Sequence, residues 1–230
     1  MTYFVSDIHG YYELFLRLLE KIGFSDADEL YVLGDVIDKG KDSVRLMKHI
    51  MEAENIHMII GNHEHSLLYE YHSLMEDSPE DFGAVLDRLQ SRFDRDDERL
   101  TFEMLDWLER LPYYIEGEDF IAVHAGIPVD STGRVISPAD ALPEQLIYDR
   151  VFKDPTFAPR GDKCVIFGHT PTMYISEKAV ILAYKKKGCP GDSIKDFCKI
   201  HIDMGTWTTK ILGCFCKEKL TATYIKGGIE

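Results

Sequence analysis

Five short segments of this chain carry side chains able to hold metal ions. They are Ser6-Asp7-Ile8-His9-Gly10, Gly34-Asp35-Val36-Ile37-Asp38-Lys39-Gly40, Gly61-Asn62-His63-Glu64, His124-Ala125-Gly126 and Gly168-His169-Thr170. Each closes an apolar run that reads as a strand. One such segment is weak evidence, but five in this order put carboxylates, imidazoles and an amide at one sheet edge, as a two-metal hydrolytic site requires. Asp7 and His9 are two residues apart, and in extended chain such positions point to one side, so both can meet one ion. Asp35 has two carboxylate oxygens and can bridge a pair of ions about 3.5–4 Å apart. Asn62, His124 and His169 supply an amide oxygen and two ring nitrogens for the second ion. No thiolate belongs to the set. Mixed oxygen and nitrogen donors suit manganese, iron, zinc or a similar divalent ion rather than a structural zinc site.

Asn62 and His63 are neighbours, so their side chains diverge. With Asn62 on a metal, His63 faces the substrate cleft as the natural general acid. Asp38 lies one turn beyond Asp35 and is free to hydrogen-bond that imidazole. A nearby carboxylate favours the protonated ring, which an acid needs near neutral pH.

The elements that must position these groups follow from periodicity. Tyr3-Phe4-Val5 is a short buried strand ending at Asp7. Leu14, Phe15, Leu18, Leu19 and Ile22 share one helical face, and Gly23 is a C-terminal stop. Leu30 to Leu33 is a second strand ending at Asp35. Asp42 or Ser43 caps a helix that buries Val44, Met47, Ile50 and Met51. Ile56 to Ile60 is a third strand. This alternation implies parallel strands joined by right-handed crossovers, with ligand-binding groups at their carboxyl ends. Residues from about 64 to 111, with a mixed-charge run at Asp94 to Arg99, read as a helical insertion whose charges form a solvated face rather than a binding surface. Strands resume at Phe120 to Val123, ending at His124, and at Cys164 to Phe167, ending at Gly168-His169. From about Ile175 the alternation suggests an antiparallel meander with members Val180–Tyr184, Lys199–Ile202, Lys210–Cys216 and Leu220–Ile225. The simplest assembly is α/β: two packed sheets with helices outside.

The 230 residues are read as one domain spanning 1–230, and 45% hydrophobic content supports a sizeable core. The formal net charge of −14 disfavours a nucleic-acid backbone or an anionic membrane as partner. An anionic substrate stays possible, because two divalent ions reverse the field locally. The five cysteines are an odd number, the chain opens directly on a strand without a leader, and no apolar run crosses a bilayer. The expectation is a reduced, cytoplasmic protein. Cys214-x-Cys216 with Cys189 and Cys198 matches no zinc-knuckle spacing and reads as free thiols. His49, His57, His65, His72 and His201 read as bystanders, with contact to substrate the lesser reading for His65, one turn past its motif.

Together the segments resemble the calcineurin-like metallophosphoesterases, and within them the phosphoprotein phosphatases of bacterial and phage type. The pattern Asp-x-His-Gly, Gly-Asp-x-x-Asp-Arg-Gly, Gly-Asn-His-Glu, His-Ala-Gly, Gly-His-Thr runs from Asp7 to Thr170. The resemblance implies a four-layer αββα sandwich and a dinuclear centre, with manganese first and iron, zinc or nickel as alternatives. Asp7, His9 and Asp35 would bind one metal. Asp35, Asn62, His124 and His169 would bind the other, with His63 and Asp38 as the acid dyad. Ile147-Tyr148-Asp149-Arg150 looks like the element that carries a phosphate-clamping arginine, which makes Arg150 the clamp, with Arg160 the other candidate. Ile202-Asp203-Met204-Gly205 resembles a segment near the end of these enzymes. Two departures stand out: Lys39 takes the place of the second phosphate-binding arginine, losing the bidentate fork, and Ser6 replaces a glycine. The implied activity is hydrolysis of phosphoserine, phosphothreonine and small phosphomonoesters by in-line attack of a metal-bridging hydroxide. The alternative is a symmetrical dinucleoside tetraphosphatase, a group that usually carries Gly-Asn-His-Asp, so Glu64 tilts the sequence reading toward the phosphatase.

Overall fold

A computed structural model describes residues 1–77 and 81–228. The chain opens with β1 (Thr2–Val5), α1 (Tyr12–Ile22), β2 (Glu29–Val32), α2 (Ser43–Glu52) and β3 (Ile56–Met58). The β1–β2 and β2–β3 pairs are parallel, as the alternation requires. Three helices follow, α3 (Asn62–Asp77), α4 (Phe82–Gln90) and α5 (Phe102–Glu109). They lie where the helical insertion is expected; residues 78–80 of that stretch lie outside the described residues. The second half contains β4 (Tyr114–Glu116), β5 (Phe120–Val123), α6 (Pro143–Tyr148), β6 (Cys164–Phe167), α7 (Met173–Ser176), β7 (Leu182–Lys185), β8 (Phe197–His201), α8 (Thr206–Thr209), β9 (Ile211–Cys216) and β10 (Thr221–Lys226).

The strands form two mixed sheets, in the orders β10-β9-β1-β2-β3 and β4-β5-β6-β8-β7. Alternation along each strand explains how they stack. Phe4 points between the sheets, where it meets Phe120 with ring centroids 5.0 Å apart and Tyr31 at 5.3 Å. Its neighbours Tyr3 and Val5 point the other way, into the core beneath α1 and α2. On the far side, Ile121, Val123, Val165 and Phe167 pack against Leu146, Phe152 and Ile127. The result is an α/β sandwich of two sheets flanked by helices. Phe4 is fully buried, so truncating it to alanine would cost about 3–5 kcal/mol.

Three local expectations change. The tail is not one meander: β7 pairs antiparallel with β8 in the second sheet, while β9 and β10 pair in the first. β8 is buried along four of its five residues and pairs parallel with β6, so it sits inside its sheet. The chain must therefore cross to the other sheet before β9. β4 escapes the sequence reading because Tyr114-Ile115-Glu116 is short and only half-buried. Asp42 stands at the N-cap of α2 without a side-chain cap bond; the carboxylate of Asp96 accepts from Val44 N instead, reaching in from the insertion. Gly23 does end α1, with φ 65° and its N–H on Glu20 O and Leu19 O.

Candidate active site

The motif residues leave their strands in an unusual backbone. Asp7, His9, Asp35, Asp38, Lys39 and His169 all have positive φ, between 52° and 69°. Side chains other than glycine, asparagine and aspartate pay strain there. Asp7 and His9 therefore do not converge through extended geometry, as their spacing suggests. They sit past the end of β1 in left-handed turns, fixed by backbone bonds from Asp7 N to Gly34 O and from His9 N to Asp35 O. Close approach completes the packing. A Cβ on Gly168 would lie 1.9 Å from Ser6 Oγ and 2.3 Å from Asp7 Oδ2. Ser6 itself donates a short hydrogen bond to Asp7, so the departure from glycine gives the carboxylate a donor.

The ring orientations are set from behind. His9 Nδ1 lies 2.8 Å from Ile37 O and His124 Nδ1 lies 2.7 Å from Leu33 O. A carbonyl can only accept, so each Nδ1 carries the proton and each Nε2 presents a lone pair. Those Nε2 atoms lie 3.8 Å and 3.5 Å from the two oxygens of Asp35. Asn62 Oδ1 is 3.0 Å from His124 Nε2 and 2.8 Å from His169 Nδ1. Two groups of donor atoms result, His9–Asp35–His63 and Asp35–His124–His169, with Asp35 in both. Asp7 adjoins them, bonded to the backbone N–H of His169 at 3.0 Å.

The donor set fits cations for an electrostatic reason. Asp7, Asp35, Glu64 and Asp203 are all at most 2% exposed, and among the described residues none has a lysine or arginine partner. Burial, with the charges of Asp7 and Glu64, drives the Asp35 carboxyl far above the usual range. Burial, again with Asp7, does the same to Asp203. Buried anions need a compensating charge, and bound divalent ions supply it. The imidazoles are ready to ligate: burial lowers His9, and burial together with His124 pushes His169 down to about 3.

The His63–Asp38 pair has a third member. His63 Nδ1 makes a short hydrogen bond with Asp38 Oδ2, while its Nε2 lies 3.8 Å from Asp35 Oδ2. Arg92 grips the same Asp38 with a two-pronged bond, Nε to Oδ1 at 2.7 Å and Nη2 to Oδ2 at 2.6 Å. Burial alone would raise Asp38, but Arg92 and His63 outweigh it and hold the carboxyl well below its usual range. Burial opposes a charged His63, yet Asp38 and Asp35 carry the ring above its ordinary value. Arg92 follows α4 in the insertion, 54 residues after Asp38. Sequence reading misses it because no motif surrounds it.

The remaining candidates divide. Arg150 is exposed and reaches Thr170 Oγ1 at 3.3 Å, beside His169. Arg160 instead forms an isolated bridge with Arg134. Lys39 is exposed, with Nζ 5.5 Å from the Trp207 ring. His65 lies against Tyr113 and Tyr148. Glu64 is fully buried, and its oxygens accept from Asp35 N, Val36 N, Ile37 N and Gly61 N at 2.8–3.3 Å. It braces two motif loops and touches no solvent. Behind the centre, the buried His201 ring stacks on Phe167, and burial pushes it down to about 4. The buried Lys199 amine donates to Phe152 O and Asp154 O at 2.7 and 2.6 Å, tying down the loop after Arg150. All five cysteines are free and none joins a metal-capable group among the described residues. No helix among them is long and apolar enough to cross a membrane.

Residues 2–201 match the model of the calcineurin-like phosphoesterase family, and the chain belongs to that family. It is 32% identical over 131 residues to the symmetrical bis(5′-nucleosyl)-tetraphosphatase of Buchnera aphidicola subsp. Acyrthosiphon pisum (strain 5A), a match covering 55% of this chain and 44% of that protein. The protein of the same name from Nitrosomonas europaea is 31% identical over 129 residues, with the same coverage. The chain thus spans under half the length of these relatives. Among solved structures, a provisionally assigned diadenosine tetraphosphatase superposes over 99% of this chain and 93% of its own, with TM-score 0.66 and 19% identity. A serine/threonine phosphatase from Saccharomyces cerevisiae covers 100% and 80%, with TM-score 0.55 and 13% identity. Both share the fold.

Proposed function

We propose that this chain hydrolyses dinucleoside tetraphosphates symmetrically, using two divalent cations held by Asp7, His9, Asp35, Asn62, His124 and His169. The observation that carries a hydrolytic role is the sharing of Asp35 between two donor groups beside an imidazole whose Nδ1 is already occupied by Asp38. When bound, the cations would lower the pKa of a water molecule and offset phosphate charge. His63 Nε2 then has one task, to give a proton to the leaving oxygen. Asp38 holds the ring in the tautomer that allows this, and Arg92 holds Asp38. Arg150 offers a planar fork to the non-bridging phosphate oxygens, and Lys39 offers a point charge.

The choice of substrate is supported by the curated relatives, which carry the name of symmetrical tetraphosphatases. Glu64 no longer argues for the phosphoprotein reading. Its carboxylate is spent on four backbone N–H groups and is out of reach of any substrate.

The test is a substrate panel with manganese-loaded protein. Diadenosine tetraphosphate should turn over faster than a phosphoserine peptide or para-nitrophenyl phosphate, releasing ADP alone. Faster turnover of the peptide would return the phosphoprotein phosphatase reading. No hydrolysis of any of the three, with any divalent ion, would leave a non-catalytic binding module.

A further inference from the structure

A recess of about 260 Å³ opens beside the acid dyad, lined by Lys39, Gly40, Lys41, Ser43 and residues 92–96. Its charged groups are Lys39, Lys41, Arg92 and Arg95 against Asp94 and Asp96. Arg92 is committed to Asp38 and Glu70. Asp96 is committed as well, accepting from Val44 N and Glu98 N. Lys39, Lys41 and Arg95 are exposed and have no carboxylate partner among the described residues. Cations without a carboxylate partner on the residues that line one recess reverse the local sign in a chain whose formal net charge is −14. The walls come from two distant stretches, the loop before α2 and the segment after α4. Those stretches are already fastened together by the bonds from Arg92 to Asp38 and from Val44 N to Asp96.

We infer that this recess holds the phosphate chain of the leaving nucleotide. The inference rests on the tetraphosphatase reading and deepens it. Lys39 and Arg92 border both the recess and the His63–Asp38 pair, so the recess lies on the side where the leaving group departs. In symmetrical cleavage, a water oxygen bonds to one central phosphorus. The bond from that phosphorus to the bridging oxygen breaks, and its electron pair stays on the departing nucleoside diphosphate. The proton lost by water goes to solvent, and that on His63 is available to the departing oxygen. A diphosphate leaving group carries several negative charges that a single proton does not offset. Cations that close on those oxygens stabilise them as charge develops. A seryl or threonyl alkoxide has no second phosphate and gains nothing from such a recess.

The decisive comparison uses Lys41→Ala/Arg95→Ala, which leaves the metal donors, His63, Asp38, Arg92 and Lys39 untouched. In manganese-loaded protein, kcat/KM for diadenosine tetraphosphate should fall about tenfold, mainly through KM, while para-nitrophenyl phosphate hydrolysis stays unchanged. Calorimetric binding of ADP should weaken about tenfold, with inorganic phosphate binding unaltered. Unchanged ADP affinity in the double variant would overturn the assignment, whatever the wild-type substrate preference. A loss confined to an acidic phosphopeptide would also overturn it, assigning the recess to peptide recognition. Failure of the wild type to cleave diadenosine tetraphosphate, with ADP still binding through Lys41 and Arg95, would instead sink the tetraphosphatase reading and leave the diphosphate site standing.

Discussion

The floor and the rim of the site are built by opposite means. The floor consists largely of strand-end turns, with Asp7, His9, Asp35 and His124 buried and the rings of His9 and His124 pinned by the carbonyls of Ile37 and Leu33. Its donors are locked before any ligand arrives, which favours tight, specific metal geometry. The rim is exposed and made largely of long cationic side chains, two of them, Arg92 and Arg95, from the insertion. Such side chains adapt to a substrate and tolerate exchange, at the cost of ordering them on binding. On the proposed function, phosphoester chemistry belongs to the floor and discrimination among phosphorylated substrates to the rim. Arg92 joins the two, because it stands in the recess wall and also clamps Asp38, the partner of His63.

The largest expected effect breaks the floor outright. Asp35→Asn removes the carboxylate common to both donor groups, so bound metal measured by atomic emission should fall to background, and hydrolysis with it. Retention of two equivalents would contradict the shared role of Asp35. Next comes the acid: His63→Asn should lower kcat by roughly 10²–10⁴-fold while metal content holds. Arg92→Leu tests the link between floor and rim. Losing a group that orients a reacting one costs roughly 10–100-fold, here in kcat. The Asp38 carboxyl, now held down by Arg92, would rise toward the ordinary range. Asp38 would then be protonated at higher pH, so the acid limb of the kcat profile should move upward. A stability defect with an unmoved profile would reduce Arg92 to a structural tie.

The smallest effect sharpens the comparison from behind the floor. Burial depresses His201 to about 4 in the folded chain, whereas an unfolded imidazole titrates near 6.5. The unfolded state then binds more protons between these values, so stability is fully present above about 6.5 and drains as the pH falls toward 4. The loss from pH 7 to pH 5 is about 2 kcal/mol. Denaturant unfolding of His201→Phe should lack that share of the slope. An identical pH dependence in the variant would assign the effect to other buried histidines.

Much of the floor is legible from residue types alone. Aspartates, histidines and an asparagine directly after apolar runs announce ligands at strand ends, and parallel strand order places those ends together. The route by which they converge is not legible. Left-handed turns at Asp7, His9 and Asp35 replace the extended geometry that spacing suggests, because β1 and β2 stop before the motifs begin. His201 looks like a bystander in the sequence and is one chemically, yet its burial against Phe167 gives it a hold on acid stability. The charged stretch after α4 reads as a solvated face. That holds for Arg99, paired with Asp87 at the surface, and fails for Arg92 and Asp96, which reach back to Asp38 between β2 and α2 and to the first turn of α2.

The sequence by itself determined the donor set, the pairing of His63 with Asp38 and the alternation of strands and helices, since all three depend on residue type and short-range spacing. The tertiary structure alone decided that Arg92 locks Asp38, that Glu64 serves the backbone rather than substrate, and that cations from two separate stretches face one recess. Those outcomes arise from contacts between residues tens of positions apart, and long-range packing leaves no periodic trace in the chain.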